Sequence, residues 1–536
     1  MATNPLALVE IAAKGSAEQT LKFPRLKDRL TEELVIAVVG PVGSGCSTTS
    51  KVVENIFRDE YSYAVSYYKL SDYIVPSARL VKETIPETLT PAERVEKLQS
   101  VGDKLREICG NSYLAAKAIE RIAKMRDSDG VGKTVEGIAV PKKLRHVHII
   151  DSVKHPDELR LLRNTYGEIF WLIGVFAPLS VRTQRLTSQR GFEKPALSAI
   201  FDKDYKEEFP YGQQVREVFH QADFFIRNDH ENIKKLQKTL DRFLEIIFGK
   251  PVHTPSQDES SMYAAYAEAA KSACLSRRVG AAIMSEKGEL IGLGRNDVPK
   301  FGGGLYTEEA GDNDYRCYAW QECQCHNDKR KHILYQQVFT RLKKENLLAD
   351  DASVDKVTQA LQKTNLKQLI EYSRAVHAEM DAITSVARTH KPGILGATLY
   401  VTTFPCHSCA CHIIASGIKK VLFIEPYPKS LATELHGDAI SENEGDEKSR
   451  VLFLQFAGIA PKNILKLFNG EIKRKGEDGM MLFFDKKTAS PVVKVSLDDY
   501  STHEKWVVAE LAENEQQAMQ GQQAALFDAR PEGQQS

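Results

Sequence analysis

The pattern of apolar residues along the chain predicts strands that alternate with helices. An uninterrupted apolar run rich in β-branched residues, typical of a strand buried on both faces, occurs at 34–39, and further buried-strand candidates lie at 147–151 and 169–176. The first run leads into Gly40–Gly45, and apolar residues then recur at helical spacing between Val52 and Phe57. This succession of strand, glycine loop and helix, with helical patterns between the later strands, predicts a parallel α/β sheet.

A second α/β unit is predicted in the C-terminal half. The segment Gly249–Asp258 has two prolines and few large apolar side chains, so we place an interdomain linker at 251–261. A helical pattern follows from Met262 to Cys274. Strands are predicted at 280–284, 290–293, 397–401 and 420–424.

These patterns give a predicted domain division. It consists of a lead at 1–30, an N-terminal domain at 31–250, the linker at 251–261, a C-terminal domain at 262–490 and a tail at 491–536. From about Glu510 the tail is rich in glutamine and alanine, so we expect a helical stretch and then a mobile end.

The composition is that of an ordinary globular protein. Apolar residues make up 42% and charged residues 27% of the 536 residues, and 72 basic side chains balance 72 acidic ones. This balance argues against a nucleic acid as the substrate. No apolar run has the length of a membrane span, no secretory signal pattern is present, and most of the nine cysteines lie near histidines. These features predict a cytoplasmic protein without membrane attachment.

The clearest chemical motif is His377-Ala-Glu379, followed by Pro405-Cys406-His-Ser-Cys409. This H-x-E and P-C-x-x-C arrangement is typical of zinc deaminases. His377, Cys406 and Cys409 supply three zinc ligands, and a catalytic zinc keeps a fourth position for a water whose pKa it lowers. Glu379 is then the proton shuttle between that water, the ring nitrogen and the leaving ammonia.

The spacing of this motif sets a geometric condition. Cys406 and Cys409 share a face of any helix that begins there, whereas His377 and the glutamate two residues later converge only if the metal lies beyond the helix N-terminus. A structural zinc site is the alternative, but it would need a fourth protein ligand. We interpret Cys411 and His412 as bystanders, because they lie away from the face of Cys406.

A second motif lies in the N-terminal domain. The segment Gly40–Ser47 matches a phosphate-binding loop except that Cys46 replaces the lysine. Ser47 is predicted to bind magnesium, with Asp151 at the end of its strand as acidic partner. We therefore expect a nucleoside triphosphate with Mg²⁺ to bind, but phosphoryl transfer to be inefficient without the lysine. The candidate nucleotide-binding residues are Gly40, Gly43, Ser44, Gly45, Cys46, Ser47, Thr48 and Asp151.

Two further segments resemble parts of small nucleotide kinases. Val181–Arg190 resembles their arginine-bearing lid, and Gln221–Asn228 resembles their late strand. A solvated helix face is the alternative for the arginines alone. With the glycine loop and the strand order, these segments favour a nucleotide-binding, kinase-like domain.

A cysteine cluster is less informative. Cys317, Cys323, Cys325 and His326 have the spacing C-x5-C-x-C-H, which fits no standard metal site. Unligated thiols and a second zinc therefore both stay open. The short basic run Lys329–His332 is typical of a solvated loop.

Residues 262–470 resemble a deoxycytidylate deaminase of the cytidine deaminase superfamily. The resemblance rests on Ser276–Ile283, Gly292–Asn296, His377–Ile383 and Thr402–Cys406. It implies a homo-oligomer and a contact between Asn296 and the nucleotide sugar, for which a turn residue is the alternative. The fold class expected for the chain is α/β, with an N-terminal P-loop nucleotide-kinase-like domain and a C-terminal cytidine-deaminase-like α/β/α domain.

The two-domain architecture resembles the bacterial anti-phage dCTP deaminases. The resemblance implies deamination of dCTP, with dCMP as a second substrate, and depletion of a DNA precursor during phage infection. Two alternatives stay open: a deaminase acting on polynucleotides, and a nucleotide-sensing regulatory protein with an inert deaminase domain. The sequence does not reveal whether a protein or RNA partner inhibits the chain.

Overall fold

The structure is a computed structural model that describes residues 29–128, 134–135, 138–139, 145–205, 210–229, 233–389, 393–427, 430–468 and 473–528. The N-terminal strands are β1 (Leu34–Val39), β2 (Ala64–Lys69), β3 (Thr134–Val135), β4 (Ile138–Ala139), β5 (His146–Asp151), β6 (Phe170–Phe176) and β7 (Phe224–Arg227). The N-terminal helices are α1 (Cys46–Asn55), α2 (Ile74–Ser77), α3 (Pro91–Cys109), α4 (Tyr113–Ser128), α5 (Pro156–Tyr166), α6 (Leu179–Arg190), α7 (Lys194–Tyr205), α8 (Val215–Phe219) and α9 (Ile233–Ile247).

The N-terminal sheet is parallel and centred on β1. Strands β5 and β6 flank β1, β2 lies outside β5, and β7 lies outside β6. All residues of β1 and β5 are buried; β1 is a continuous apolar run, whereas β5 also buries His146, His148 and Asp151. Because β1 leads through Gly40–Gly45 directly into α1, the predicted P-loop nucleotide-kinase-like fold is confirmed.

The C-terminal strands are β8 (Gly280–Met284), β9 (Leu290–Arg295), β10 (Thr398–Thr403), β11 (Lys420–Glu425), β12 (Ile440–Ser441), β13 (Val451–Gln455) and β14 (Gly458–Ile459). The C-terminal helices are α10 (Gln257–Ala270), α11 (His326–Lys344), α12 (Val354–Gln362), α13 (Ala378–Arg388), α14 (His407–Ala415), α15 (Ala432–Leu435), α16 (Ile464–Leu467) and α17 (Leu497–Asp528). The seven strands predicted across the two domains all occur, with bounds within two residues of the prediction.

The C-terminal sheet has helices on both faces. Its strand order is β12-β13-β11-β10-β8-β9, with β8 antiparallel to both of its neighbours. Met262 and Ala265 of α10 pack against one face, whereas α13 and α14 pack against the other through residues such as Ala382 and Ile413. The predicted α/β/α domain is therefore confirmed.

Helix α10 begins inside the predicted linker. Ser256 and Glu259 form a capping box, so the helix starts at Gln257 rather than at Met262. The Glu259 carboxylate also accepts hydrogen bonds from Arg242 on α9, at 2.8 and 2.7 Å, and from the N–H of Ile459 at 2.9 Å. The capping signal outweighs the preceding prolines, and part of the segment 251–261 is a helical turn that contacts both domains.

A short strand joins the two sheets. Strand β14 pairs antiparallel with β7 of the N-terminal sheet, although β13, just before it, belongs to the C-terminal sheet. The contact continues where the N–H of Ala460 donates to the carbonyl of Asp223 at 3.0 Å. The predicted C-terminal domain at 262–490 thus contributes a strand to its neighbour.

The C-terminal helix also packs on the N-terminal domain. Helix α17 contacts α4 and α5, with buried side chains that include Leu497, Leu511 and Ala518. It continues well past Glu510 to Asp528, in the part of the tail where the sequence predicts a helical stretch. The glutamine-rich sequence carries enough apolar residues to bury one face once the N-terminal domain is present. Among the described helices, none is both long and apolar enough to cross a bilayer.

Candidate metal centre and phosphate-binding loop

Three candidate metal ligands converge between the N-termini of α13 and α14. His377 precedes the first turn of α13, and Cys406 caps α14 with Cys409 in the first turn. The two Sγ atoms each lie 3.3 Å from Nδ1 of His377, and all three ligand atoms lie within 4.8 Å of one another. Zinc bonds of about 2.0 Å to nitrogen and 2.3 Å to sulfur place tetrahedral ligand atoms roughly 3.5 Å apart. The donor set and its spacing therefore fit zinc.

The protonation of these groups is coupled through their hydrogen bonds. The Cys409 thiol and the His377 imidazole lower the pKa of Cys406 to about 4, and the bond to Cys406 raises the pKa of His377 to about 9. The same contact with Cys406, together with burial, raises the pKa of Cys409. Thiolate and neutral imidazole are the ligating forms, so a cation bound here would release protons.

Glu379 lies in the first turn of α13, beside this group. Its side chain is buried, with 4% of the residue exposed. Burial raises the pKa of the Glu379 carboxyl, and the nearby His377 partly offsets that rise. A buried carboxyl with a raised pKa next to a metal centre is suited to accept and return a proton.

Strand β9 fixes the position of α13. The helix approaches Gly294 so closely that a Cβ atom there would lie 2.2 Å from the nitrogen of Ala382 and 2.3 Å from the carbonyl oxygen of Ala378. Just before the helix, the N–H of Val376 donates to the carbonyl of Asp297 at 3.0 Å. Both contacts hold the helix N-terminus, which carries the histidine and the glutamate, against the sheet.

Other contacts fix the start of α14. The Oγ of Ser430 donates to the carbonyl of Pro405 at 2.7 Å, and the N–H of Phe404 donates to the carbonyl of Glu425 at 2.8 Å. The Phe404 ring packs edge-on against Phe423, with ring centroids 4.9 Å apart. The loop that presents both cysteines is therefore held by backbone and aromatic contacts.

Asn296 lies at the end of β9 and is nearly buried. Its Oδ1 accepts from the N–H of Val279 at 2.6 Å, and its Nδ2 donates to the carbonyl of Arg277 at 2.6 Å. The side chain thus braces the segment before β8, a structural task that the sequence does not reveal. The side-chain amide of Asn296 has two N–H groups, and the bond to Arg277 uses one of them. The predicted contact with a nucleotide sugar is compatible with the second N–H group and stays a prediction.

The remaining cysteines and histidines do not extend the metal centre. Cys411 contacts His436 at 3.1 Å, and His412 bonds to the carbonyl of Ser408 at 2.8 Å, in keeping with their interpretation as bystanders. Within the described parts of the chain, His377, Cys406 and Cys409 are the only three such residues close enough to share a metal ion. The cluster of three cysteines and His326 at 317–326 does not form a second group.

The glycine loop has the form that phosphate binding requires. Gly45 adopts the left-handed conformation, with φ of 93°, and α1 starts at the next residue. All the predicted loop residues except the buried Ser44 line a cavity of about 770 Å³, and Thr48 lies on the exposed side of the first helical turn. The Nδ2 of Asn228 donates to the carbonyl of Ser44 at 2.8 Å and fixes the loop to the end of β7.

The predicted magnesium residues contact each other directly. The Ser47 hydroxyl donates to Asp151 at 2.7 Å, and the Tyr67 hydroxyl donates to the same carboxylate oxygen at 2.6 Å. Burial raises the pKa of the Cys46 thiol to about 12, so the residue in the lysine position is neutral. The loop thus keeps its backbone donors and its acidic partner but has no charge at position 46.

Two residues of this cavity escape sequence reasoning. Lys154 contacts the loop at Gly40, and Asp204 from α7 contacts the loop at Val42. The only indication in the sequence that Lys154 lies near the loop is its position three residues after Asp151. Asp204 has no such signal, because only the folded chain brings α7 to the loop.

Comparison with known proteins places the metal centre in a family. Residues 255–425 match the cytidine and deoxycytidylate deaminase zinc-binding region. The deoxycytidylate deaminase of Enterobacteria phage T2 is 32% identical over 196 residues, which are 37% of this chain and 93% of that protein. The chain belongs to the deoxycytidylate deaminase family. The four residues of the H-x-E and C-x-x-C motifs all lie within the matched range.

Two solved structures resemble parts of this deaminase family member. The dCMP deaminase of cyanophage S-TIM5, in complex with dCMP and dUMP, is 18% identical and has a TM-score of 0.22, with coverage of 38% of this chain and 99% of that one. The shikimate kinase of Acinetobacter baumannii, in complex with shikimate, is 12% identical and has a TM-score of 0.24, with coverage of 41% of this chain and 96% of that one.

Proposed function

We propose that the chain is a zinc-dependent hydrolase that removes the amino group of deoxycytidine nucleotides, with dCTP as main substrate and dCMP as a second one. The observation that carries the proposal is the convergence of His377, Cys406 and Cys409 beside the buried Glu379. Family membership adds the substrate class, because the phage T2 relative is a deoxycytidylate deaminase.

The proposed roles follow from the chemistry of the side chains. His377, Cys406 and Cys409 would hold zinc, which supplies the Lewis acidity that makes water a nucleophile near neutral pH. The Glu379 carboxylate accepts a proton from the attacking water and delivers protons to ring nitrogen N3 and to the departing amino group. Water and the cytosine nucleotide thereby yield the uracil nucleotide and ammonia.

The preference for dCTP and the anti-phage role rest on the two-domain architecture. The chain joins a deaminase domain to a phosphate-loop domain, as the bacterial anti-phage dCTP deaminases do. We propose that the enzyme, as a homo-oligomer, removes dCTP and so limits phage DNA synthesis. Cells that express the wild type should lose dCTP on infection and restrict phage, whereas cells with Glu379→Gln should do neither.

We propose in addition that the phosphate loop binds a nucleoside triphosphate with Mg²⁺ and that this ligand changes the deamination rate. Ser47 and Asp151 supply oxygen ligands for magnesium. A cavity of about 250 Å³ between the domains is lined by Pro41 of the loop and by Phe404, two residues before Cys406. Ligand binding that moves Pro41 would therefore change the surroundings of Phe404, and with it the position of the segment that carries Cys406.

Ammonia release from dCTP, dCMP, CTP, cytidine and a cytosine-containing oligonucleotide tests the catalytic proposal. The wild type should turn over dCTP, and Glu379→Gln should reduce the rate by about 10²-fold or more because the proton shuttle is lost. Zinc content measured in both proteins is the control, since the variant keeps all three ligands. Turnover confined to the oligonucleotide would favour a polynucleotide deaminase, and no turnover would favour a regulatory protein.

A second assay tests the loop. The dCTP deamination rate is measured against added nucleoside triphosphates for the wild type and Ser47→Ala. We expect the rate to respond to the added nucleotide in the wild type and to lose that response in the variant. An identical rate in both proteins at every nucleotide concentration would contradict regulation through the loop.

A further inference from the structure

The phosphate loop lacks the positive charge that normally faces the terminal phosphates. Cys46 holds the position of the lysine, and its thiol is buried and neutral. The backbone donors of Gly40–Ser47 and the start of α1 provide only partial charges. Triphosphates carry several negative charges, so a ligand of this class needs a cation from elsewhere in the cavity.

Lys154 brings an ammonium group to this loop. It follows β5, three residues after Asp151, and lines the same cavity as the loop. Its Nζ lies 3.0 Å from the carbonyl oxygen of Gly40, the first residue of the loop.

Two arginines that line the same cavity are less well placed than Lys154. Arg106 is engaged in buried ion pairs with Asp103 and Glu158. Arg185 lies on α6 and contacts the carbonyl of Ser44 at 3.4 Å, from the side of the lid helix. Lys154 is attached to the strand that also carries the magnesium partner, so its position relative to the loop is fixed by the sheet.

In the structure, the ammonium group of Lys154 is paired with a carboxylate. Asp204 on α7 accepts from Nζ of Lys154 at 2.7 Å and from the N–H of Val42 at 2.7 Å. One carboxylate thus takes both a backbone N–H of the loop and the nearby ammonium, which are the two kinds of donor that a phosphate group uses. A phosphate group that enters the cavity would compete with Asp204 for these donors.

We propose that Lys154 replaces the missing loop lysine as the cation that binds the terminal phosphates of a triphosphate ligand, and that Asp204 is its counter-ion until the ligand arrives. This inference rests on the proposed nucleotide binding at the loop and adds the residue that makes such binding compatible with Cys46. It also gives helix α7 a contact that ligand binding breaks.

Calorimetric titration with inorganic triphosphate and Mg²⁺ tests the proposal independently of the nucleobase. The Glu379→Gln background is used throughout, so that turnover of dCTP is strongly reduced in parallel titrations with dCTP, dTTP, ATP and GTP. We expect Lys154→Met to weaken triphosphate binding by about tenfold or more, since a charged hydrogen bond to phosphate is lost. Lys154→Arg should keep most of the affinity, and Asp204→Asn should increase it because competition is removed.

The decisive variant restores the lysine at its usual place. Cys46→Lys combined with Lys154→Met should recover most of the lost affinity, because the charge returns to the same cavity. Asp204→Asn combined with Lys154→Met is the folding control, since it removes the carboxylate that the single change leaves unpaired. Recovery by this control, without recovery by Cys46→Lys, would show that Lys154 serves only to pair Asp204 and would overturn the proposal.

The two proposals fail in different ways. If the wild-type loop binds triphosphate and Ser47→Ala weakens that binding, but Lys154→Met has no effect, the role of Lys154 alone is wrong. If inorganic triphosphate, dTTP, ATP and GTP all fail to bind to protein with an otherwise unchanged loop, nucleotide binding at the loop is wrong, and the role of Lys154 falls with it; dCTP is left out of this criterion because it is also the proposed substrate of the deaminase site.

Discussion

Arg126 on α4 donates hydrogen bonds to both carboxylate oxygens of Glu504 on α17, each at 3.0 Å, across 378 residues of chain. The same guanidinium binds Glu33 at 2.8 Å, and the Tyr500 hydroxyl donates to Glu33 as well. All three charged side chains are nearly inaccessible to solvent. Helix α17 is thus fastened to the N-terminal domain through a buried ionic cluster.

Loss of the central charge of this cluster should be costly. Arg126→Met leaves two buried carboxylates without their shared cation, so we expect the free energy of unfolding to fall by about 3–5 kcal/mol. Urea unfolding of both proteins measures the difference. Arg341→Met is the matched control, because Arg341 is exposed and its pair with Glu345 is worth under about 1 kcal/mol. Equal effects of the two changes would contradict a stabilising role for the buried cluster.

The same cluster predicts how stability depends on pH. Burial alone would raise the pKa of Glu33, but His148, Arg126 and Tyr500 lower it from 4.5 to about 2. Because the folded pKa is the lower one, this stabilisation is present above pH 4.5 and is lost as the pH falls towards 2. A shift of this size corresponds to about 3 kcal/mol. Urea unfolding between pH 6 and 3 should show a shallower decline for Glu33→Gln than for the wild type, and parallel declines would contradict the assignment.

The strands and the metal motif could be predicted because their determinants are local. All residues of β1 are buried, so its apolar run coincides with the strand. His377, Cys406 and Cys409 sit at two helix N-termini, and their spacing alone indicates that they could converge. The capping signal of Ser256 and Glu259 is equally local, but the nearby prolines favour a linker in the sequence and hide the start of the helix.

The contacts between distant segments could not be predicted. Strand β14 has two residues, too few for a recognisable pattern, and it exists only because β7 offers an open edge. Helix α17 is rich in glutamine and alanine, and its stable position depends on Arg126, far away in the chain. The contact between Asp204 and Lys154 likewise depends on the packing of α7, which no local pattern specifies.

The close approach of Gly294 to α13 predicts a change that acts on the metal centre from a distance. In Gly294→Ala, the new Cβ would meet the backbone of Ala382 and Ala378, at 2.2 and 2.3 Å. We expect α13 to shift, the free energy of unfolding to fall by about 1–3 kcal/mol, and dCTP turnover to fall with it. Gly521→Ala on α17 is the control, since its Cβ would meet nothing within 4 Å. Because alanine has a higher helix propensity than glycine, this control change should raise the free energy of unfolding by about 1 kcal/mol or less. Unchanged turnover in Gly294→Ala would show that α13 tolerates displacement.

Metal analysis of cysteine variants can identify the zinc ligands and the number of zinc ions together. We expect the wild type to hold one zinc per chain, because the described residues form one group of three candidate ligands. Cys409→Ser should lose the metal, since a serine hydroxyl does not replace a thiolate ligand. Cys411→Ser should keep it, because Cys411 is exposed and contacts His436 instead. Cys325→Ser tests the second cluster: a fall from two zinc ions to one in that variant would show that the cysteines at 317–325 bind a metal after all. Retention of zinc by Cys409→Ser would instead contradict the proposed ligand set, and with it the position of Glu379 beside the reacting water.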